Sequence, residues 1–440
     1  MLKLKLTAVL AAALILAACG GGGSDSPSSG SKAFNIDYYP AECSEAAQTE
    51  FVYNAMHDVY YWADTAPVLD YTAYSSQYDL IYAMRNSKDV FSTIYTKQFI
   101  NDYYSGANIG LGFNTITDGT GLYIRMVYPD SPADLAGLER GNRILAVNGY
   151  TAEQMLASSS VSDAAYGPST AGYAVSIDYL DNSNVGKTAV ISKAEYYADS
   201  APVYNIFTNS SNGKKIGYLL YNSFNSNTAD AKPAMAAFKA EGVRELVIDL
   251  RYNGGGLVTT AQYIGSFIGG NGLKGLTMLK MIFNQQYSGM SSKVSFVEPA
   301  YALDVDRVVF LVTGASASAS EMVINGLKPF KDVYLIGSET YGKPVGSHYI
   351  GYCDKYLSAI TFENKNALDE GGYFDGISAD CRKYEDVDSL GQFGDSDEKF
   401  LGSALTYLQN GGCVSEPAAM SKTKVAEKEI HAPWDEKIIK

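Results

Sequence analysis

Three segments of the chain carry residue types and spacings suited to attack on a carbonyl. The first is Gly314-Ala315-Ser316-Ala317-Ser318-Ala319-Ser320-Glu321, set between the apolar run Arg307–Thr313 and a helix-like stretch from about Ser320 to Leu327. A hydroxyl at a strand-to-helix junction is exposed at the sheet edge, near the positive end of the helix, where developing negative charge is stabilised. Taken alone, the run reads more readily as a small-residue turn with a serine N-cap. The second segment is Ser338-Glu339-Thr340-Tyr341-Gly342-Lys343, just after the apolar run Val333–Gly337. A lysine on a glycine turn at the end of a buried strand is partly desolvated. Desolvation disfavours the charged form and lowers the amine below its usual pKa of about 10.4. A neutral lysine accepts a serine proton and so replaces histidine as base. The third is Asp249-Leu250-Arg251-Tyr252-Asn253-Gly254-Gly255-Gly256, a glycine turn after the strand-like run Glu245–Leu250. Backbone N–H groups on such a turn approach a ligand closely and supply half of an oxyanion hole. A phosphate-cradling loop is the competing reading, but the Lys-Ser/Thr pair of a P-loop is absent.

Composition narrows the chemistry further. Of 440 residues, 46% are hydrophobic, which excludes overall disorder and allows two to three domains. Lys plus Arg number 34 against 48 Asp plus Glu, a formal charge of −14, so nucleic acid is a poor partner. There are 3 histidines, His57, His348 and His431, so a His-rich metal centre is not expected and a non-histidine base is. No metal or cofactor is called for. A lipase or esterase would place Gly-x-Ser-x-Gly at the nucleophile, which this chain lacks.

The elements that must position these residues fall into six stretches. Residues 1–18 read as a secretory signal, with Lys3 and Lys5 before the apolar run Leu6–Ala18. Leu16-Ala17-Ala18-Cys19 resembles the bacterial lipobox, which implies lipidation of Cys19, attachment to a membrane by lipid and a location in the bacterial cell envelope, facing either the periplasm or the exterior. Residues 19–33 are a Gly/Ser-rich linker. Residues 34–105 read as a helical region. Phe51, Val52, Ala55, Val59 and Trp62 share one face, and the amphipathic style continues through Tyr78–Met84 and Val90–Ile100. Residues 106–195 are β-rich, with a hairpin turn at Asn148-Gly149. Residues 196–413 alternate strand, tight turn and helix, the pattern of a sheet covered by helices. Residues 414–440 form a Lys/Glu-rich tail. Beyond Cys19 the cysteines are Cys43, Cys353, Cys381 and Cys413, and an even number in an exported chain permits disulfides. Cys353 and Cys381 flank one glycine- and charge-rich excursion and are expected to pair, leaving Cys43 with Cys413.

Within residues 106–195, Gly110-Leu111-Gly112-Phe113 is followed by Ser131-Pro132-Ala133, Ala136-Gly137-Leu138 and Gly141-Asn142-Arg143-Ile144-Leu145-Ala146-Val147-Asn148-Gly149. This series resembles a PDZ domain. The resemblance implies that Gly110–Phe113 form the loop whose backbone N–H groups receive a peptide C-terminus. From about residue 107 to 410, the PDZ segment and the three chemical segments together resemble the carboxyl-terminal processing, or tail-specific, proteases, whose catalytic core is tricorn-like, a crotonase-like β-β-α fold. The two motifs lie 343 − 318 = 25 residues apart, as the family pattern requires. The resemblance implies an α+β multidomain chain in which Ser318 is the nucleophile and Lys343 the base. It implies an oxyanion hole built by the N–H of Ala319 and of Gly254 or Gly255. Substrates would be proteins or peptides recruited by unstructured C-terminal tails, with no cofactor. One position departs from the family: Ser347 stands where many members place a glutamine that orients the lysine. Either Ser347 substitutes or another group positions Lys343. That departure keeps open a second reading, a lipid-anchored peptide-binding module of weak or no activity. His348, next to Ser347 on a strand, is expected to face the opposite side.

Overall fold

The computed structural model describes residues 34–387 and 390–417. The signal, Cys19 and linker readings, and nearly all of the Lys/Glu-rich tail, lie outside the described residues. The centre of the molecule is a six-stranded sheet in the spatial order Val203–Thr208, Lys215–Leu220, Glu245–Asp249, Arg307–Val312, Asp332–Gly337 and Cys381–Arg382. The first pair is antiparallel and the others are parallel. Alternating side chains of the inner strands enter two cores. Leu246, Ile248, Val308 and Phe310 meet the helices Lys232–Ala240, Val258–Gly269 and Ala319–Leu327. Val247, Val309 and Leu311 meet the helix Lys399–Asn410 on the other face. Strands buried on both faces read as continuous apolar runs, which is why they were legible in sequence. Each fully buried Val, Leu or Ile contributes about 1.5–3 kcal/mol.

Within the segment 107–197 a second sheet runs in the order Phe113–Thr117, Leu122–Val127, Arg143–Val147, Ala174–Leu180 and Gly186–Ser192, while Ala107–Gly110 pairs separately with Ala194–Tyr197. Asn148 and Gly149 have φ of 48° and 83°, and Val147 pairs with Tyr150 across them, the two-residue hairpin read from the sequence. The helix Ser159–Tyr166 flanks the edge strand Phe113–Thr117, with the Phe113 and Tyr166 rings 6.3 Å apart.

The N-terminal region departs from its reading in two places: the first helix ends at Asp58, so Trp62 lies beyond the face it was expected to share, and a strand replaces part of the later helical stretch. Glu45–Asp58 and Gln77–Met84 are helices, and Phe51, Val52, Ala55 and Val59 are buried. Thr93–Thr96, expected within an amphipathic helical stretch, is a strand antiparallel to Lys355–Ser358. The β-branched residues of Thr93-Ile94-Tyr95-Thr96 favour extended backbone, and the exposed edge of Lys355–Ser358 supplies the partner. The region shares one apolar core with Val345, Ile350, Leu357 and Ile360, so it is built into the α/β part.

All four described cysteines are paired, but not as expected. The bonds are Cys43–Cys353 and Cys381–Cys413, with Cα separations of 5.9 and 6.1 Å. Cys353 sits in the turn between Ile350–Tyr352 and Lys355–Ser358, against the start of the Glu45 helix. Cys381 sits on the last strand of the central sheet, beside the chain leaving the Lys399 helix. The Cys353–Cys381 and Cys43–Cys413 pairings therefore fail. Sequence proximity across one excursion did not decide the pairing, because long-range packing brings Cys43 to Cys353 and the chain after the last helix to Cys381.

Candidate active site

The parallel strand Arg307–Val312 ends at Thr313, and six residues later the helix Ala319–Leu327 begins. The three serines of that turn have different surroundings. Ser316 Oγ donates to Leu250 O at 2.7 Å, and Ser320 Oγ donates to Asn253 O at 2.8 Å. Ser316 and Ser320 thus fasten the turn to the glycine loop. Ser318 lines the cleft, at the helix N-terminus, with φ 55° and ψ −110°. A non-glycine residue held at positive φ stores about 1–3 kcal/mol of strain, and such strain concentrates at functional sites.

The glycine loop packs directly against this serine. A Cβ on Gly255, at φ +110°, would lie 2.8 Å from Ser318 Cβ and 2.9 Å from the Ala319 nitrogen, so only glycine fits. The Gly255 N–H donates to Asn253 Oδ1 at 2.9 Å, whereas Gly254 lines the cleft. Asn253 also donates through Nδ2 to Tyr221 O at 2.8 Å, and its carbonyl receives Ala317 N at 3.1 Å. Arg251 is fully buried and held by Asp249 at 2.7 Å and Glu398 at 2.8 Å. These contacts fix the loop that presents Gly254.

Lys343 follows Gly342 (φ 92°), whose Cβ position is blocked by Phe374 O at 2.4 Å. Its Nζ lies 5.1 Å from the centre of the Phe91 ring. Burial pushes its amine below the usual lysine range, and the negative charges of Asp89 and Glu321 partly oppose that shift. Among the described residues, neither Ser318 Oγ nor Ser347 Oγ makes a hydrogen bond to Lys343 Nζ. Ser347, on the strand Val345–Ser347, lines the same cleft. His348 turns the other way, into Phe34, Phe283 and Phe362, with Nδ1 3.0 Å from Thr361 Oγ1. Burial holds its pKa at about 4, so it is a neutral packing residue, as its place next to Ser347 implied.

Two residues absent from the sequence-derived site belong to it. The Glu321 carboxylate is buried and accepts four hydrogen bonds. Oε1 receives Thr340 Oγ1 at 2.6 Å and the Gly342 N–H at 2.8 Å, while Oε2 receives the Ser318 N–H at 2.8 Å and the Lys343 N–H at 2.9 Å. One side chain thereby sets the spacing of the serine and lysine segments. Asp89 comes from the N-terminal region. Its Oδ2 accepts from the Tyr60 hydroxyl at 2.7 Å and its Oδ1 from the N–H groups of Phe91 and Ser92 at 2.9 Å each. The run Ser-Ala-Ser-Glu contained the signal for Glu321; nothing in the sequence linked Asp89 to Lys343.

A single cleft of about 2280 Å³ is lined by Gly110, Leu111, Gly112 and Phe113 as well as by Gly254, Ser318, Lys343 and Ser347. Ala319 and Gly255 lie immediately behind Ser318. The structure thus brings together the three chemical segments and the PDZ loop. Among the described residues no group of three His, Cys, Asp or Glu side chains is placed to hold a metal ion. The described helices also include none long and apolar enough to cross a membrane.

A strained serine at a strand-to-helix junction, a desolvated lysine and a glycine loop, joined to a PDZ sheet, are the parts of a serine peptidase of the PDZ-bearing class. Residues 215–381 match Peptidase family S41, residues 47–93 match the Peptidase S41 N-terminal domain, and residues 123–161 match a PDZ domain. Residues 215–381 thus carry a peptidase family S41 domain, as the motifs implied. A probable CtpA-like serine protease of Staphylococcus aureus is 24% identical over 352 residues, covering 78% of this chain and 66% of that protein. This chain therefore spans just under two thirds of that relative's length. Its namesake in Staphylococcus epidermidis is 24% identical over 358 residues, covering 78% of this chain and 67% of that one. In fold, the chain is similar to the crystal structure of an S41 protease candidate from Bacteroides fragilis. That comparison gives a TM-score of 0.69 at 23% identity, covering 82% of this chain and 97% of that one. It is also similar to the photosystem II D1 C-terminal processing protease, with a TM-score of 0.50 at 19% identity, covering 85% of this chain and 99% of that one.

Proposed function

We propose that the chain is a serine endopeptidase that cleaves exported proteins or peptides with a Ser318–Lys343 dyad. The observation that carries this reading is the strained Ser318, facing a cleft shared with a desolvated lysine, Gly254 and the PDZ loop. Neutral Lys343 takes the Ser318 Oγ proton as the oxygen attacks a peptide carbonyl. The resulting oxyanion is received by the N–H groups of Ala319 and Gly254, because the Gly255 N–H is already committed to Asn253. The Lys343 ammonium returns its proton to the leaving amine, and water releases the acyl-enzyme. Glu321 holds the lysine segment through the Lys343 N–H, and the charge of Asp89 acts on the lysine amine, rather than Ser347 alone orienting it. Unstructured C-terminal tails enter along the free edge of Phe113–Thr117, beside the helix Ser159–Tyr166, by strand addition. Lipidation at Cys19 attaches the protein to the bacterial cell envelope, a reading that rests on the sequence and is checked by metabolic labelling with a fatty-acid probe in wild type and Cys19→Ala.

The absence of a Ser318–Lys343 hydrogen bond favours a second reading, a peptide-binding module of weak or no activity. Catalytic hydrogen bonds are often long without substrate and tighten on binding, so the peptidase reading takes precedence. Casein cleavage by wild type and not by Ser318→Ala is the expected result. Equal rates for the two proteins exclude Ser318 as the nucleophile, and an inactive wild type favours the binding module.

A further inference from the structure

We infer that Arg125 is a binding site for a carboxylate of the substrate chain, within the cleft between the PDZ loop and Ser318. This inference rests on the peptidase reading and adds a substrate class to it. Arg125 lies on the strand Leu122–Val127 at an irregularity in its pairing. Asn114 faces Met126 and Thr115 faces Ile124, so Arg125 is the extra residue of a β-bulge. Bulges redirect a side chain, and they are over-represented beside active sites. Here Arg125 lines the cleft that runs from Gly112 to Ser318, with its guanidinium carbon 4.4 Å from the centre of the Tyr252 ring. Tyr252 is two residues before Gly254.

Among the described residues, Arg125 has no direct partner for its charge. Its Nε is buried and has no hydrogen-bond partner, and among the described residues it makes no ion pair. Two neighbouring arginines are fully committed by contrast. Arg140 donates to Gly391 O at 2.8 Å, Tyr252 Oη at 3.0 Å and Glu385 Oε1 at 2.8 Å. Arg251 is held by Asp249 and Glu398, and reaches Glu385 at 3.5 Å. Glu385 is shared by Arg140, Arg251 and the Tyr252 hydroxyl; its charge reaches Arg125, but among the described residues it forms no direct ion pair with it. A half-buried guanidinium with an unpartnered Nε and no direct ion pair gains when a ligand brings an anion into contact with it. Guanidinium matches a carboxylate in a planar, two-point contact, and the tyrosine face beneath it holds the plane in place. The carboxylate has two sources in a peptide: an Asp or Glu side chain, or the free C-terminus.

The test uses the full chain carrying Ser318→Ala, so that binding is read without turnover. A short fluorescent alanine-rich peptide with an amidated C-terminus is compared with its free-acid form and with a series carrying one Glu at each position. Fluorescence anisotropy is expected to show one carboxylate peptide binding about tenfold or more tightly than the neutral parent, the gain of a charge-assisted pair. The peptide that gains identifies the source. Adding Arg125→Met, which keeps the stem, is expected to remove the gain, and Arg125→Lys to restore part of it. Thermal melting of each variant confirms folding. A peptide set with no carboxylate gain, whether or not the peptides bind, overturns the proposal, as does a gain that survives in Arg125→Met. Hydrolysis of the neutral peptide by wild type, compared with Ser318→Ala, tests the peptidase reading separately, so the two can fail independently.

Discussion

Replacing Glu321 with glutamine tests how the site is held together. The carboxylate accepts four hydrogen bonds at 2.6–2.9 Å, two at each oxygen. Glutamine keeps one acceptor oxygen and puts an NH2 group in place of the other. If the NH2 takes the Oε2 place, the N–H groups of Ser318 and Lys343 lose their acceptor and face a donor. Hydrogen bonds to a charged group contribute about 1.5–3 kcal/mol each, so losing two costs about 3–6 kcal/mol. Burial pushes the Glu321 carboxyl above its usual pKa, so the neutral glutamine recovers part of the desolvation cost. The net expectation is a stability loss of about 2–4 kcal/mol. The serine and lysine segments also lose their common tether. A small displacement of a reacting group lowers rate by about a hundredfold. Urea denaturation measures the first quantity, and the labelling rate with a fluorophosphonate probe on folded protein measures the second. If Glu321→Gln is as stable as wild type and labels at the same rate, Glu321 does not position the site.

Three further outcomes are expected. The negative charge of Asp89 raises the Lys343 pKa against the lowering by burial, so Asp89→Asn enlarges the neutral fraction of Lys343 at a given pH. In the proposed dyad, activity needs the neutral amine and falls as pH drops through the Lys343 pKa. The acid limb of the kcat/KM profile should therefore move to lower pH in Asp89→Asn; an unmoved limb or one shifted upward excludes the coupling. Gly255→Ala forces a side chain to φ +110° and to 2.8 Å from Ser318 Cβ, which should slow fluorophosphonate labelling by more than about tenfold through about 1–3 kcal/mol of strain. Labelling at the wild-type rate would show that the loop yields without disturbing Ser318. Removing the Cys381–Cys413 bond with paired serines opens a loop of sequence separation 32 and should cost about 3–4 kcal/mol by loop entropy, read as a lower denaturation midpoint. An unchanged midpoint excludes a stabilising role for this bond.

The parts of the site that were legible in sequence share one property: each is continuous in the chain. Apolar runs such as Arg307–Val312 and Glu245–Asp249 announced buried strands, and the small-residue turns after them announced Ser318 and the glycine loop. Lys343 followed from the same logic. The choice between Gly254 and Gly255 was not legible, because it depends on where the Asn253 side chain spends its oxygen. Asp89 was hidden because Thr93–Thr96 pairs with Lys355–Ser358 far along the chain, and that pairing carries the N-terminal region to Lys343. The same long-range packing crossed the disulfides. Neither helical periodicity nor cysteine spacing reports that Cys43 meets a hairpin turn at Cys353.

The central claim, that Ser318 is the nucleophile activated by Lys343, is tested most directly by active-site labelling followed by peptide mapping. Wild-type protein treated with a fluorophosphonate should carry a single adduct, on Ser318, formed faster as pH rises toward deprotonation of Lys343. Ser318→Ala and Lys343→Ala, each shown to be folded, should carry none. An adduct on another residue, or labelling of Lys343→Ala at the wild-type rate, would contradict the dyad.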